Sequence, residues 1–356
     1  MKKLLLVGFK AGDLEEAFRR LACKPGDVVV HVLDIYHLHA IEKTWAGAVE
    51  AVCSPHLPQV APDGSSWSRI VFRTGPKLMS GELALDLLQE CHHVAGTGRS
   101  GAVPVEVEYV GRERDRNDLL DKVKDRIDRK FAAVWPASVP GGEKLMFTSY
   151  PGCFCHRRLD EGGLALAEVV SRELRSVREG ADETINLLDM GCGCGLVGLL
   201  VASVVKGVKL TMIDSHTRAV EAAAVNARAF GADARVILAD DGLDSVQSTS
   251  QTIDQSTNRP IDQSNNRPVE QSNNRTIEQS NNSSYDVFVG NPPYYSDYRI
   301  ADVFLQTAKK ALKPGGVCYT VVKNDAGLKP VQERYFPSVE VIRRRGYCVL
   351  KSVKVS

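Results

Sequence analysis

The sequence predicts an α/β protein made of two tandem doubly wound parallel sheets, and three observations carry that prediction. Short apolar strands alternate with helices through the C-terminal half. A fainter copy of the same order runs through the N-terminal half, and a tandem array explains why the two copies are spaced unequally. Length agrees, since 356 residues exceed one average domain and two is the natural expectation.

In the C-terminal half, INLLDM (185–190) reads as a buried strand, followed by a helix from Leu196 to Val205. VKLTMID (208–214) is the next strand and Arg218 to Phe230 the next helix. RVILAD (235–240) and YDVFVG (285–290) are further strands. Ile300 to Leu312 is a helix stopped by KPGG, and VCYTVV (317–322) returns to the sheet.

Between two of those strands lies 253–284, four octapeptides: IDQSTNRP, IDQSNNRP, VEQSNNRT and IEQSNNSS. Each unit holds a single aliphatic residue, too little apolar surface to offset the entropy of ordering, so a disordered surface insertion is expected. In the N-terminal half, LLLVG (4–8) parallels LLDMG (187–191) at an offset of 183, and IVFRTGP (70–76) parallels DVFVGNP (286–292) at 216. The difference, 33, nearly equals the 32 residues of the array, so removing it brings the halves into register. The N-terminal copy has lost the polar features: GFKAG replaces a Gly-x-Gly-x-Gly loop, and Gly75-Pro76-Lys77 stands where Asn-Pro-Pro is expected. Between the halves, Leu120, Val123, Ile127 and Phe131 recur three or four apart, an amphipathic helix whose eight basic and six acidic neighbours over 112–130 read as a solvated face. The expected boundaries are therefore 1–111, a connecting helix and linker over 112–150, and 151–356.

Composition narrows the function. Hydrophobic content of 43%, charged content of 25% and a net charge of +1 fit a globular protein and exclude a strongly basic nucleic-acid binder. The apolar run in MKKLLLVGFKAGD is ended by Gly8 and Lys10, too early for a secretory segment, so a cytoplasmic protein without a membrane partner is expected. Nine scattered cysteines argue against a disulfide framework. The pairs Cys153/Cys155 and Cys192/Cys194 are spaced more closely than usual zinc ligands, and small thiols also fill space beside glycines, so no metal is expected.

The chemistry gathers at strand ends. Asp189-Met-Gly191-Cys-Gly193-Cys-Gly195 lets the backbone turn sharply and a ligand approach without a Cβ in the way. Asp189, two residues before the first glycine, can bind a cationic amino-acid group, which a pyrophosphate site would not favour. Asp214 can take both ribose hydroxyls, although it could equally cap the next helix. Asp240 and Asp241 can accept from an adenine amine. Together these suit S-adenosylmethionine.

Asn291-Pro292-Pro293-Tyr294 then falls at the mouth of the same sheet, where open α/β folds bind ligands. The nitrogen of an amine on a planar ring is a poor nucleophile, because its lone pair is delocalised. Two fixed acceptors, the Asn291 side-chain oxygen and the Pro292 carbonyl, can aim that lone pair at an electrophilic methyl, while Tyr294 offers a stacking face.

On these residues the sequence resembles class I methyltransferases acting on planar amino groups. Within them it looks most like the two-domain ribosomal RNA guanine-N2 methyltransferases of the RsmC/RlmG type. PGCFCHRRLDEGG (151–163), the tail RYFPSVEVIRRRGYCVLKSVKV and the decayed N-terminal copy extend the resemblance. It implies two Rossmann-like domains, the first degenerate, with cofactor contacts from Phe154, Asp189, Gly191, Gly193, Asp214 and Asp241. It implies methyl transfer at Asn291, Pro292, Pro293 and Tyr294, ribosomal RNA as partner, and a monomer, since the two copies imitate a dimer. Two residues depart from the pattern: Cys155 replaces the usual serine and Tyr295 a frequent histidine. The same Asn-Pro-Pro-Tyr site also serves adenine-N6 and protein-glutamine methylation, and a non-catalytic RNA-binding assembly factor is the reading from another class. Arg157, Arg158 and Arg343 to Arg345 could hold phosphates or be ordinary surface charge.

Overall fold

A computed structural model describes residues 2–97, 103–124, 132–177, 184–240, 284–293 and 298–355. The octapeptides up to residue 283, together with Asp241, Tyr294, Ile127 and Phe131, lie outside the described residues. The N-terminal part holds β1 (Lys3–Val7), α1 (Leu14–Leu21), β2 (Val28–Val32), α2 (Ile35–Trp45), β3 (Glu50–Cys53), β4 (Trp67–Thr74), α3 (Gly81–Thr97), β5 (Val105–Tyr109) and α4 (Glu113–Lys124). Its strands form a parallel sheet in the order β3-β2-β1-β4-β5. Every residue of VVVHV in β2 is buried, the continuous apolar run that a strand covered on both faces requires.

A hairpin follows, β6 (Ala133–Ala137) and β7 (Leu145–Ser149), and then α5 (Glu161–Val177), β8 (Ile185–Met190), α6 (Leu196–Val204), β9 (Val208–Asp214), α7 (Thr217–Ala229) and β10 (Ala234–Leu238). The chain resumes with β11 (Tyr285–Gly290), α8 (Arg299–Ala311), β12 (Leu312–Val322), α9 (Asp325–Glu333), β13 (Glu340–Arg344) and β14 (Tyr347–Val353). The larger sheet runs β10-β9-β8-β11-β12-β14-β13. Its first five strands are parallel and in the same relative order as the N-terminal sheet, and the last two form an antiparallel edge.

Three details differ from expectation. KPGG does not separate helix from strand, because β12 begins at Leu312 and carries it as a register irregularity. Gly315, at φ +81°, donates to the Lys354 carbonyl at 2.8 Å, and Gly316 accepts from the Lys354 amide at 2.8 Å, so β-type pairing reaches past the prolyl residue. Second, the 112–150 segment divides. Leu119 and Val123 of α4 pack into the N-terminal core with Leu88 and Cys91. The hairpin instead packs into the larger core through Trp135 and Phe147, whose rings stack at 5.4 Å, and Phe147 meets Phe230 edge-on at 5.0 Å. AVWPA alternates buried and exposed positions, a period-two pattern that marks a half-buried strand.

Third, strand register moves the N-terminal counterpart of Asn-Pro-Pro by two residues. Val7 pairs with Phe72 as Met190 pairs with Gly290. Arg73-Thr74-Gly75 therefore occupies the counterpart of Asn291-Pro292-Pro293, where Gly75-Pro76-Lys77 was expected. A two-residue slip keeps every side chain on its own face, so sequence alternation does not reveal it.

The two halves meet through equivalent turns. By the same register Asp34 corresponds to His216, and these two residues form an antiparallel bridge. Ile35 N–H donates to Ser215 O at 2.9 Å and Thr217 N–H to Leu33 O at 2.8 Å, a locally two-fold arrangement. Beside it Arg218 is only 2% exposed. Its guanidinium crosses from α7 to Asp86 and to Glu90 (3.1 Å) on α3, and donates to Pro55 O at 3.0 Å and Pro151 O at 3.3 Å. Among the described residues no helix is long and apolar enough to cross a membrane.

Candidate active site

A cavity of about 450 Å³ opens at the carboxyl end of the larger sheet, where β8 and β11 lie side by side. Every described residue of the sequence-derived site except Gly195 lines it: Phe154, Asp189, Gly191, Gly193, Asp214, Asp240, Asn291, Pro292 and Pro293. The loop between β8 and α6 passes close to its neighbours. Gly191, at φ +66°, faces Phe304 so tightly that a Cβ would sit 2.6 Å from the ring. A Cβ on Gly193, at φ +56°, would meet nothing within 4 Å, so this glycine keeps the cavity wall open. Gly195, at φ +85°, faces Leu199 and Met212, where its role is packing and turning rather than contact with a ligand.

The carboxylates are held by backbone amides. Asp189 Oδ2 accepts from Gly198 N–H at 2.9 Å, which ties the strand end to the first turn of α6. Burial outweighs that bond and pushes its carboxyl up to about 7. Asp214 accepts from Gly193 N–H (Oδ2, 2.9 Å) and His216 N–H (Oδ1, 2.9 Å), so it braces the glycine loop as well as the start of α7. Burial pushes it up to about 6. A positive charge placed beside either acid would favour its ionised form. Asp240 Oδ2 lies 2.8 Å from His39 Nδ1 of α2, so the N-terminal part reaches the cavity rim. Phe154 stands 64% exposed at the mouth, free to cover a flat ligand.

Asn291 follows Gly290 at the end of β11, and its Nδ2 donates to Asp160 Oδ2 at 2.7 Å. Among the described residues no group donates to its Oδ1, which leaves that oxygen as an acceptor beside the cavity. Cys153, Cys192 and Cys194 are buried and Cys155 half-buried, and among the described residues no cluster of three metal-binding side chains occurs. Burial pushes the Cys153 thiol up to about 12. The basic side chains weighed as phosphate holders mostly face carboxylates, Arg157 with Glu82, Arg344 with Glu168, and Arg345 with Glu161 at 3.0 Å.

Asp160, Trp135 and Asp34 are among the lining residues that escaped the sequence reading. Asp160 precedes α5 and its signal was the LDEGG stretch itself. Trp135 comes from the hairpin and donates to Ser149 Oγ at 3.1 Å. Asp34 comes from the N-terminal part, which no local pattern could bring here.

The T. thermophilus 16S rRNA N2 methyltransferase, solved in complex with AdoMet and guanosine, matches 99% of this chain and 88% of its own at a TM-score of 0.68 and 15% identity, a likeness of fold across both parts. Ribosomal RNA small subunit methyltransferase C of Pseudomonas aeruginosa is 28% identical over 196 residues, 54% of this chain and 46% of its own. Ribosomal RNA large subunit methyltransferase G of Streptomyces avermitilis is 26% identical over 212 residues, 58% of this chain and 45% of its own. The chain thus spans about half the length of these curated relatives. The pattern of the methyltransferase small domain matches residues 144–266 and 254–351, more than half of the sequence and nearly all of the larger sheet, and the chain belongs to that family.

Proposed function

We propose that this protein transfers a methyl group from S-adenosylmethionine to the exocyclic N2 amine of a guanine in ribosomal RNA. The observation that carries the reading is one cavity in which the Asn291-Pro292 acceptors lie beside Gly193, Asp189 and Asp214. These residues suit the donor's chemistry: a buried carboxylate for its cationic methionine part, a second for its ribose hydroxyls, and Asp240, with Asp241, for its adenine amine. When bound, the donor supplies a methyl carbon activated by a sulfonium leaving group.

The chain's own residues handle the acceptor. Asn291 Oδ1 and the Pro292 carbonyl accept from the two N–H bonds of the amine and favour its pyramidal form. The nitrogen lone pair forms the N–C bond as the C–S bond breaks. The product amine, acidic once it carries four substituents, passes its extra proton to water, so no strong base is required. Pro292 and Pro293 fix the backbone beforehand, which reduces the ordering left for the reaction step. Tyr294 is assigned the stacking face for a base flipped out of its helix.

Guanine is preferred over adenine or a protein glutamine because two rRNA methyltransferases are among the relatives and the protein of like fold was solved with guanosine. The duplicated N-terminal sheet supports the same choice. The pairing of both copies in one chain supports a monomer, and a ribosomal substrate supports a reaction in the cytoplasm. Tritium transfer to separated ribosomal RNAs, followed by mapping, tests the reading. Loss of one N2-methylguanosine from the ribosomal RNA of a deletion strain is expected, and unchanged N2-methylguanosine would overturn it.

A further inference from the structure

We infer that Asp160 is the positioning residue that sets which end of the Asn291 carboxamide faces the substrate. The inference deepens the proposed reaction and rests on it. A carboxamide presents an oxygen on one side and an NH₂ on the other, two ends of almost the same size. Only the oxygen can hold a substrate amine. The opposite orientation would set donor against donor in a water-poor cavity and leave both unsatisfied. Nothing in Asn-Pro-Pro itself chooses between the two.

Asp160 makes the choice. A carboxylate only accepts, so its contact with Asn291 obliges Nδ2 to turn toward it and Oδ1 away. The two residues are 131 positions apart, and the pairing joins the residue just before α5 to the residue just after β11. The carboxylate is itself held. Gly162 N–H donates to Oδ1 at 3.0 Å, and the Asp160 carbonyl accepts from Leu164 N–H at 2.9 Å at the opening of the helix.

The sequence around Asp160 supports the assignment independently. Two glycines stand in the first turn of α5, where helix propensity disfavours them. A Cβ at Gly163 would lie 2.6 Å from Asp160 Oδ2, the oxygen that Asn291 contacts, whereas one at Gly162 would first meet the Tyr347 ring at 3.1 Å. Gly163 gives up helix stability to leave that carboxylate oxygen room to reach Asn291. The contact also has an electronic consequence. A carboxylate drawing on Nδ2–H shifts amide electron density toward Oδ1, strengthening the acceptor as positive charge develops on the substrate nitrogen.

Selective ¹⁵N labelling of asparagine tests the geometry without any assay. In the full chain the Asn291 side-chain NH₂ pair, assigned by its loss in Asn291→Ala, should lie apart from solvent-exposed asparagines. In Asp160→Ala, which removes the acceptor, it should move to the position of an unrestrained amide, and an unmoved signal would overturn the inference. The kinetic test is a double-mutant cycle in methyl transfer. Asp160→Ala should lower kcat by about 10- to 100-fold, with donor affinity by calorimetry unchanged within twofold, and should add nothing in the Asn291→Ala background. Wild-type kcat in Asp160→Ala, or a further loss in that background, would also overturn it. Absence of transfer to ribosomal RNA by the wild-type chain strikes the proposed function alone, because the spectrum still reads the Asp160 contact.

Discussion

The two sheets share one strand order, and a comparison of their mouths shows what separates a scaffold from a site. Strand register places Leu6 where the larger sheet has Asp189, Val32 where it has Asp214, and Arg73 where it has Asn291. Each replacement removes an acceptor. Arg73 is itself engaged, reaching Asp13 at 2.5 Å and lying over the Phe9 ring at 5.7 Å. The N-terminal mouth keeps a cavity of about 210 Å³, but Leu78, Met79, Leu83 and Leu87 help to line it and His216 of the other half enters its wall. The same topology thus supports either an array of acceptors or a smaller cavity walled largely by apolar side chains, and a handful of strand-end residues decides which.

The sharpest way to break this comparison is to remove the clamp on one side and its counterpart on the other. Asn291→Ala should lower methyl transfer by roughly 10²-fold or more while calorimetry still detects the donor. Arg73→Ala should leave transfer intact in the folded protein. Equal losses from the two substitutions would erase the distinction.

Next in size is the junction. Arg218→Met removes the buried cation that Asp86 and Glu90 face, leaving Asp86 without its cation and Glu90 with His56 alone. Destabilisation of about 3 kcal/mol is expected, since breaking a buried pair exceeds the loss of a surface one. Urea unfolding with a probe in each half would read it, and separate midpoints for the halves would show that Arg218 makes them unfold together.

Acidity sharpens the comparison further, because the N-terminal mouth has Leu6 in place of a titrating acid. Asp189 and Asp214 are held up at about 7 and about 6, above the roughly 3.9 of an unfolded aspartate. The native state therefore holds more protons than the unfolded chain between these values, so ligand-free stability falls as pH rises from about 4 to about 7. Donor affinity should run the other way. It needs the Asp189 carboxylate, so it should tighten as pH rises toward 7, by up to about tenfold per unit, and level off above it. Calorimetry in buffers of different ionisation enthalpy should show proton release near pH 6. A flat profile would remove Asp189 from donor binding.

The smallest effect concerns the contact by which the N-terminal half touches the site. His39→Ala frees Asp240 from its 2.8 Å partner, an exposed pair worth less than about 1 kcal/mol. Donor binding should weaken by about threefold or less, read as Kd at constant kcat.

Much of this was legible beforehand, for a physical reason visible in particular residues. INLLDM is an apolar run that a strand buried on both faces explains, VKLTMID is mostly buried with only Lys209 exposed, and the β8–α6 glycines announce a turn that a ligand can approach. Asp189, Asp214 and Asn291 stood out because each ends a strand, and parallel strands bring their ends to one edge. The hairpin was hidden because Trp135 and Phe147 bury only in a core built from later sequence. The two-residue slip at Arg73 was hidden because alternation is blind to it.

The chain by itself therefore determined the strand order's raw material, the glycine turn and the polar residues at the strand ends, since those depend on local periodicity and backbone freedom. Only the tertiary structure decided that Asp160 meets Asn291, that Asp34 and His39 reach the rim, and that Arg218 joins the halves. These are contacts between segments far apart in sequence. They form only once packing brings those segments together, which no local pattern records.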